Sequence, residues 1–218
     1  MEHNTEVSEV KQGIIESLQY ILAEENDEKE NNPEKVRNGI EKEENPDNPV
    51  SDRSTGGRID INSSVETGSN GLPTGWKPLV QSPAYIWSGE QVYTGKKSLK
   101  ITLNEVETRL NAWRYTYRIK MPEQHIIGAE IFIKTKDIVG DGIRLTLEAY
   151  NGLSDRPVLT ATSKNMFLIK GTKDWTFYKL LFPGNTDHKI KYIVVRLIML
   201  PGTTGTAYID DIYLIQSK

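Results

Sequence analysis

From Arg58 to the C-terminus the chain is a succession of short runs with apolar residues at alternate positions, cut every eight to twelve residues by turn-forming sequence. A period of two marks a strand with one buried face, and turns this frequent leave no room for long helices. The runs are Val92 to Leu103, Asn111 to Met121, Ala129 to Lys136, Gly142 to Tyr150, Val158 to Ser163, Trp175 to Phe182, Lys191 to Leu200 and Thr206 to Ile215, with a shorter one at Ile59 to Ile61. Gly-Asp-Gly, Asn-Gly, Lys-Gly-Thr, Pro-Gly-Asn and Pro-Gly-Thr-Thr-Gly lie between them, supplying the positive φ values and side-chain hydrogen bonds that turns need. The expected fold is all-β, a jelly-roll sandwich of about eight or nine antiparallel strands over residues 59–218.

Alternation also sorts the faces. In the run from Gly142, Ile143, Leu145, Leu147 and Ala149 form an apolar side, which leaves Arg144, Thr146, Glu148 and Tyr150 on the other. Likewise Ile193, Val195, Leu197 and Met199 point one way, with Tyr192 and Arg196 the other. The run from Asn111 is ambiguous. Trp113, Tyr115, Tyr117 and Ile119 oppose Arg114, Thr116 and Arg118, and either side could face a ligand.

The N-terminal part is different in kind. Residues 1 to 50 hold 14 Asp/Glu and 5 Lys/Arg, net -9, while the remaining 16 and 22 give the rest a net of +6. Val7, Val10, Ile14, Leu18, Ile21 and Leu22 recur at helical spacing, so residues 1–25 are expected to carry an amphipathic helix whose apolar stripe needs a partner. Packing on its own domain, docking on a larger assembly and self-association into a homo-oligomer all answer that need. Residues 26–58, rich in Glu, Asn, Lys, Asp and Pro, are expected to be an acidic flexible linker.

Composition excludes several functions. There is no cysteine, which removes disulfides, thiol catalysis and Cys-ligated zinc. The positive excess of the second part is too dilute for a nucleic-acid footprint. No apolar run approaches the 18 or so residues of a membrane span, and the acidic start carries no signal peptide, so synthesis in the cytoplasm is expected. Catalysis lacks support as well. The histidines are His3, His125 and His188, the last two in turn-like sequence, and neither a Gly-x-Ser-x-Gly elbow nor a phosphate-cradling glycine loop is present.

One ordered set of motifs carries a resemblance. Asn62-Ser-Ser-Val-Glu66-Thr-Gly68, Leu72-Pro-Thr-Gly-Trp76, Tyr93-Thr-Gly-Lys-Lys-Ser-Leu-Lys-Ile101, Ile131-Phe-Ile-Lys-Thr135, Gly171-Thr-Lys-Asp-Trp-Thr176 and Gly205-Thr-Ala-Tyr-Ile-Asp-Asp-Ile-Tyr-Leu214 follow one another across the whole β part. In that order they resemble the jelly-roll carbohydrate-binding modules of the galactose-binding-like superfamily. Val65 departs from the phenylalanine usual in the first motif. The resemblance implies a structural calcium ion tying the first strand to the last, held by Glu66, Asp210 and a backbone carbonyl near Lys97, a mixed oxygen set that calcium accepts. It also implies that Trp76 and Trp175 pack inside.

Sugar recognition in such modules stacks aromatic faces on pyranose rings and hydrogen-bonds hydroxyls with nearby polar side chains. Trp87, in the loop-like Ala84-Tyr-Ile-Trp-Ser-Gly89, and the outward set Arg114, Arg118, Arg144, Glu148, Tyr150 and Arg196 are the candidate ligand residues. The functional expectation is a non-catalytic domain binding a cell-surface glycan, tethered through residues 1–25 to a larger assembly such as a phage virion, whose surface proteins need no export signal. The alternative is a decoration or adaptor protein whose jelly roll contacts protein instead.

Overall fold

The structure is a computed structural model and describes residues 57–118, 125–163, 168–183 and 190–217. The helix expected within residues 1–25, the linker to residue 56, the end of the Asn111 run and His188 lie outside the described residues. Twelve strands form among the described residues: β1 (Gly57–Asp60), β2 (Gly68–Ser69), β3 (Leu72–Pro73), β4 (Trp76–Pro78), β5 (Tyr85–Ser88), β6 (Ser98–Leu103), β7 (Asn111–Arg118), β8 (Ile126–Tyr150), β9 (Leu159–Thr162), β10 (Ile169–Leu181), β11 (Tyr192–Met199) and β12 (Thr204–Gln216). All pairings are antiparallel, and no helix appears among the described residues beyond a 3-10 turn residue at Ser163.

The sandwich turns on β8. Two strands were expected here, separated by a reversal at Gly-Asp-Gly; instead one 25-residue strand runs through. Gly140 and Gly142 have φ of 93° and 90°, and a Cβ on Gly140 would lie 2.1 Å from the carbonyl oxygen of Gly202. Only glycine lets the backbone bend there against the 200–203 turn, so the pair redirects the strand without reversing it. The first half of β8 pairs with β12 and β10, the second with β11 and β9. One sheet is therefore β4-β7-β11-β8-β9 and the other β5-β6-β12-β8-β10, with β1 on the far end of β12.

Between the sheets lies the core. Ile143, Leu145, Leu147 and Ala149 of β8, Ile193, Val195 and Leu197 of β11 and Leu99, Ile101, Ile209 and Leu214 of the opposite sheet are essentially inaccessible. Each full burial of a side chain that size contributes roughly 1.5–3 kcal/mol. The ambiguous strand is settled by this core: Trp113 and Tyr117 face inward, which turns Arg114, Thr116 and Arg118 outward. Trp113 ties the sheets together, its indole N–H donating to the Lys100 carbonyl at 3.0 Å and its ring meeting Tyr85 edge-on. Tyr85 in turn donates to Asn111 at 3.1 Å.

Candidate functional site

Register places the outward residues of β4, β7, β11, β8 and β9 in cross-strand rows. One row is Lys77, Arg114, Arg196, Thr146 and Thr162; a second is Thr116, Val194, Glu148 and Thr160; a third is Arg118, Tyr192 and Tyr150; and a fourth places Arg144 beside Ile198. Six of the seven predicted ligand residues thus share one face.

At the centre of that face is a charge network. Arg196 donates to both oxygens of Glu148, at 2.5 and 2.6 Å, and the Tyr150 hydroxyl donates to Glu148 Oε2 at 2.6 Å. Glu148 is 6% exposed and Tyr150 7%, although both point away from the core. A buried carboxylate is tolerated only when paired and hydrogen-bonded, and here it is both. Burial, followed by the neighbouring Glu148 charge, pushes the Tyr150 phenol well above its usual range, so it stays a donor. The Tyr150 ring stacks on Tyr192 with centroids 4.8 Å apart and planes 8° from parallel. Beside the network, the buried Thr146 hydroxyl has no hydrogen-bond partner among the described residues.

The row of Arg118 and Tyr192 opens onto a cavity of about 430 Å³, lined by those two residues together with Gly152, Leu153, Ser154, Asp155 and Lys191. The 151–158 loop forms one wall. Its backbone is held by short-range bonds, Leu153 N–H to Asn151 Oδ1 at 3.0 Å and Arg156 N–H to Ser154 Oγ at 3.3 Å, and by Lys191 N–H donating to the Tyr150 carbonyl at 2.8 Å. Alternation puts Tyr192 on this face without assigning it a role. Its register partner across β8 being another tyrosine was the missing signal.

Trp87 stands apart from this face. Expected in a loop, it lies in β5 at the edge of the opposite sheet, paired with Leu99. Its indole N–H donates to the Val65 carbonyl at 2.7 Å and Lys97 Nζ sits 5.3 Å from its ring. Val65, fully buried, holds a φ of 50°, which a β-branched residue resists, and the Trp87 bond is part of what fixes it there.

The residues expected to hold calcium converge on one loop. Glu66 Oε1 accepts the N–H groups of Lys96 and Lys97 at 2.7 and 2.8 Å. Asp210 Oδ2 accepts those of Tyr93 and Thr94 at 2.8 and 3.1 Å, and its Oδ1 that of Asp211 at 2.8 Å. Between the two grips Gly95 has a φ of 67°, where a Cβ would fall 2.4 Å from Glu66 Oε1. Two carboxylates and loop carbonyls are a donor set that suits calcium. The N–H groups aimed at both carboxylates also close the loop by themselves, and no group of three His, Cys, Asp or Glu side chains placed to hold a metal occurs among the described residues. Burial pushes the Asp210 carboxyl up to about 7 despite its three donors.

The same loop builds an aromatic cluster that no local sequence pattern announces. Tyr93 stacks on Phe132 with centroids 3.9 Å apart and leans on Trp175, while Phe132 meets Phe177 at 5.4 Å. These rings sit on the outer face of the second sheet. Trp76 is buried at 2%, as expected, but Trp175 is only half-buried, because the register shift between Lys173 and Thr176 turns it outward toward Tyr93.

No protein-family model matches the chain, and no curated protein matches it in sequence. Solved structures do match it. An apo cyclase from Fischerella sp. shares 14% identity over 74% of this chain and 97% of its own, with a TM-score of 0.52. A cyclase from Fischerella sp. TAU shares 15% over the same fractions, with a TM-score of 0.51. The carbohydrate-binding module TmCBM61 in complex with β-1,4-galactotriose shares 14% over 72% of this chain and 96% of its own, with a TM-score of 0.48. At these identities what the two cyclases have in common with the chain is the fold.

Proposed function

We propose that the protein is a non-catalytic carbohydrate-binding protein whose site is the polar face of β7, β11 and the second half of β8. The observation that carries this reading is the Arg196–Glu148–Tyr150 network set beside the Tyr150–Tyr192 stack and the open cavity at Arg118. Rigid donors, an acceptor and aromatic surface at one place are what a polyol needs. The test is binding of the full chain to a broad glycan array. The reading expects retention on at least one polysaccharide and loss in Tyr192→Ala, and retention on none would remove it in favour of a face that contacts protein.

Calcium at Glu66, Asp210 and the Lys97 carbonyl belongs to the same proposal, as a pin between the first motif and the last strand. It would supply charge to the two carboxylates, raising stability without touching ligand. Thermal melting with calcium or with excess EDTA decides it. A rise in Tm of several degrees with calcium is expected, and identical curves would leave the loop to its N–H donors alone. Residues 1–25 are proposed as the tether to a larger assembly, such as a virion surface. A variant lacking them that still co-sediments with particles would remove that role.

A further inference from the structure

The centre of the polar face is closed to a ligand, while one end of it is open. In the row Thr116, Val194, Glu148 and Thr160 the outer two residues are exposed, but Val194 and Glu148 on the central strands β11 and β8 are buried. Further along the same two strands Arg144, Thr146 and Ile198 are buried as well. A polymer laid across the sheet would touch the flanks and find little side-chain surface between them, and both stacking and hydrogen bonding need direct contact. Accessible surface returns at the last row, where β7 ends at Arg118, β8 ends at Tyr150 and β11 begins at Tyr192.

Past that row the chain builds its own wall. After Tyr150 it turns through Asn151 and Gly152, with Gly152 at a φ of 75° and the Leu153 N–H donating to Asn151 Oδ1. A Cβ on Gly152 would fall 2.9 Å from Lys191 Cδ, so the turn lies against the Lys191 stem and needs glycine to do so. Leu153, 84% exposed, continues the wall with Ser154 and Asp155. The cavity of about 430 Å³ therefore lies between the buried centre of the face and this turn, toward the small end of ligand pockets, which run roughly 300–1,000 Å³.

We infer that the site takes the terminus of a glycan chain, the last sugar and its neighbour, and not an internal stretch. The inference rests on the glycan-binding reading above and narrows it to a class of ligand. A terminal sugar differs from an internal one by a free hydroxyl where the next glycosidic bond would be, and that hydroxyl both donates and accepts. Arg118 and Lys191 line the cavity as donors and Asp155 as an acceptor, with the Tyr192 ring beside them to stack on the sugar.

The experiment titrates the full chain by calorimetry with linear cello-, xylo-, manno-, malto-, chito- and β-1,4-galacto-oligosaccharides from dimer to hexamer, and with the parent polymers in graded lengths. At least one series is expected to bind with a molar affinity constant within twofold from trimer to hexamer, and the number of protein copies held per polymer chain is expected to stay the same as the polymer lengthens. Thr160→Trp, which would obstruct a chain laid across the strands, is expected to leave both affinity and melting temperature unchanged. Affinity that climbs tenfold or more with oligomer length, or copies per chain that grow with polymer length, overturns end recognition and leaves glycan binding standing. A tenfold loss in Thr160→Trp at an unchanged melting temperature overturns it too. Binding to none of these series and to nothing on the array sinks both readings.

Discussion

The two sheets present outer faces built by the same alternation and put to opposite uses. On the β5-β6-β12-β8-β10 sheet three cations each have a carboxylate beside them: Arg58 with Glu130 and Lys134 with Asp174, both at 2.8 Å, and Lys100 with Glu90. The gaps are filled by Tyr93, Phe132, Phe177 and Trp175, and the loop carrying Tyr93 is held down by Asp210. On the other sheet Arg196 is paired with Glu148, and the Tyr150 and Tyr192 rings stack next to an open cavity lined by Arg118 and Lys191. The difference teaches that exposure of aromatics is a poor guide to a site here, since the larger aromatic cluster sits among paired charges while the smaller one borders the cavity.

Removing the carboxylate at the centre of the polar face should have the largest effect. Glu148→Ala takes from Arg196 and Tyr150 their shared acceptor, and breaking a buried pair this way costs about 3 kcal/mol, read by urea unfolding. A loss under about 0.5 kcal/mol would mean that the network is not the floor of the site. Phe132→Ala on the opposite face should come next. It removes the ring between Tyr93 and Phe177, for about 2 kcal/mol given its partial burial, and leaves glycan binding intact. If binding falls with it, the two faces have been assigned the wrong way round. Arg118→Ala should be smallest in stability, within about 0.5 kcal/mol, yet weaken binding, because an exposed side chain at a cavity mouth holds up nothing. A matching loss of stability would reassign Arg118 to structure.

Much of this contrast was legible in the chain. Strict alternation in Ile143 to Tyr150, and the looser pattern of Tyr192 to Met199, indicated which residues face the core, and the outward arginines could be named from them. Their common row could not, since register depends on pairing partners that alternation does not specify. Continuity of β8 was hidden because Gly140 and Gly142 look like a turn, and only the close approach of Gly202 shows why glycine is needed to bend rather than reverse. The Lys-Gly-Thr at Lys170 to Thr172 misled in the same way: Gly171, at a φ of 75°, is a bulge inside β10. Trp87 read as a free platform because its indole N–H bond to Val65 spans 22 residues, beyond any local pattern. Phe132 and Phe177 left no sign at all, as each is an isolated aromatic on an outward position until β8 and β10 pair.

The central claim is that ligand meets the β7-β11-β8 face and not the aromatic one, and backbone amide NMR of the full chain tests it most directly. On titration with an oligosaccharide of the best-bound polymer, shifts should concentrate at Arg118, Glu148, Tyr150, Lys191 and Tyr192, with Tyr93, Phe132, Trp175 and Phe177 unmoved. Shifts clustered at Tyr93 and Trp175, with the Glu148 region silent, would contradict it.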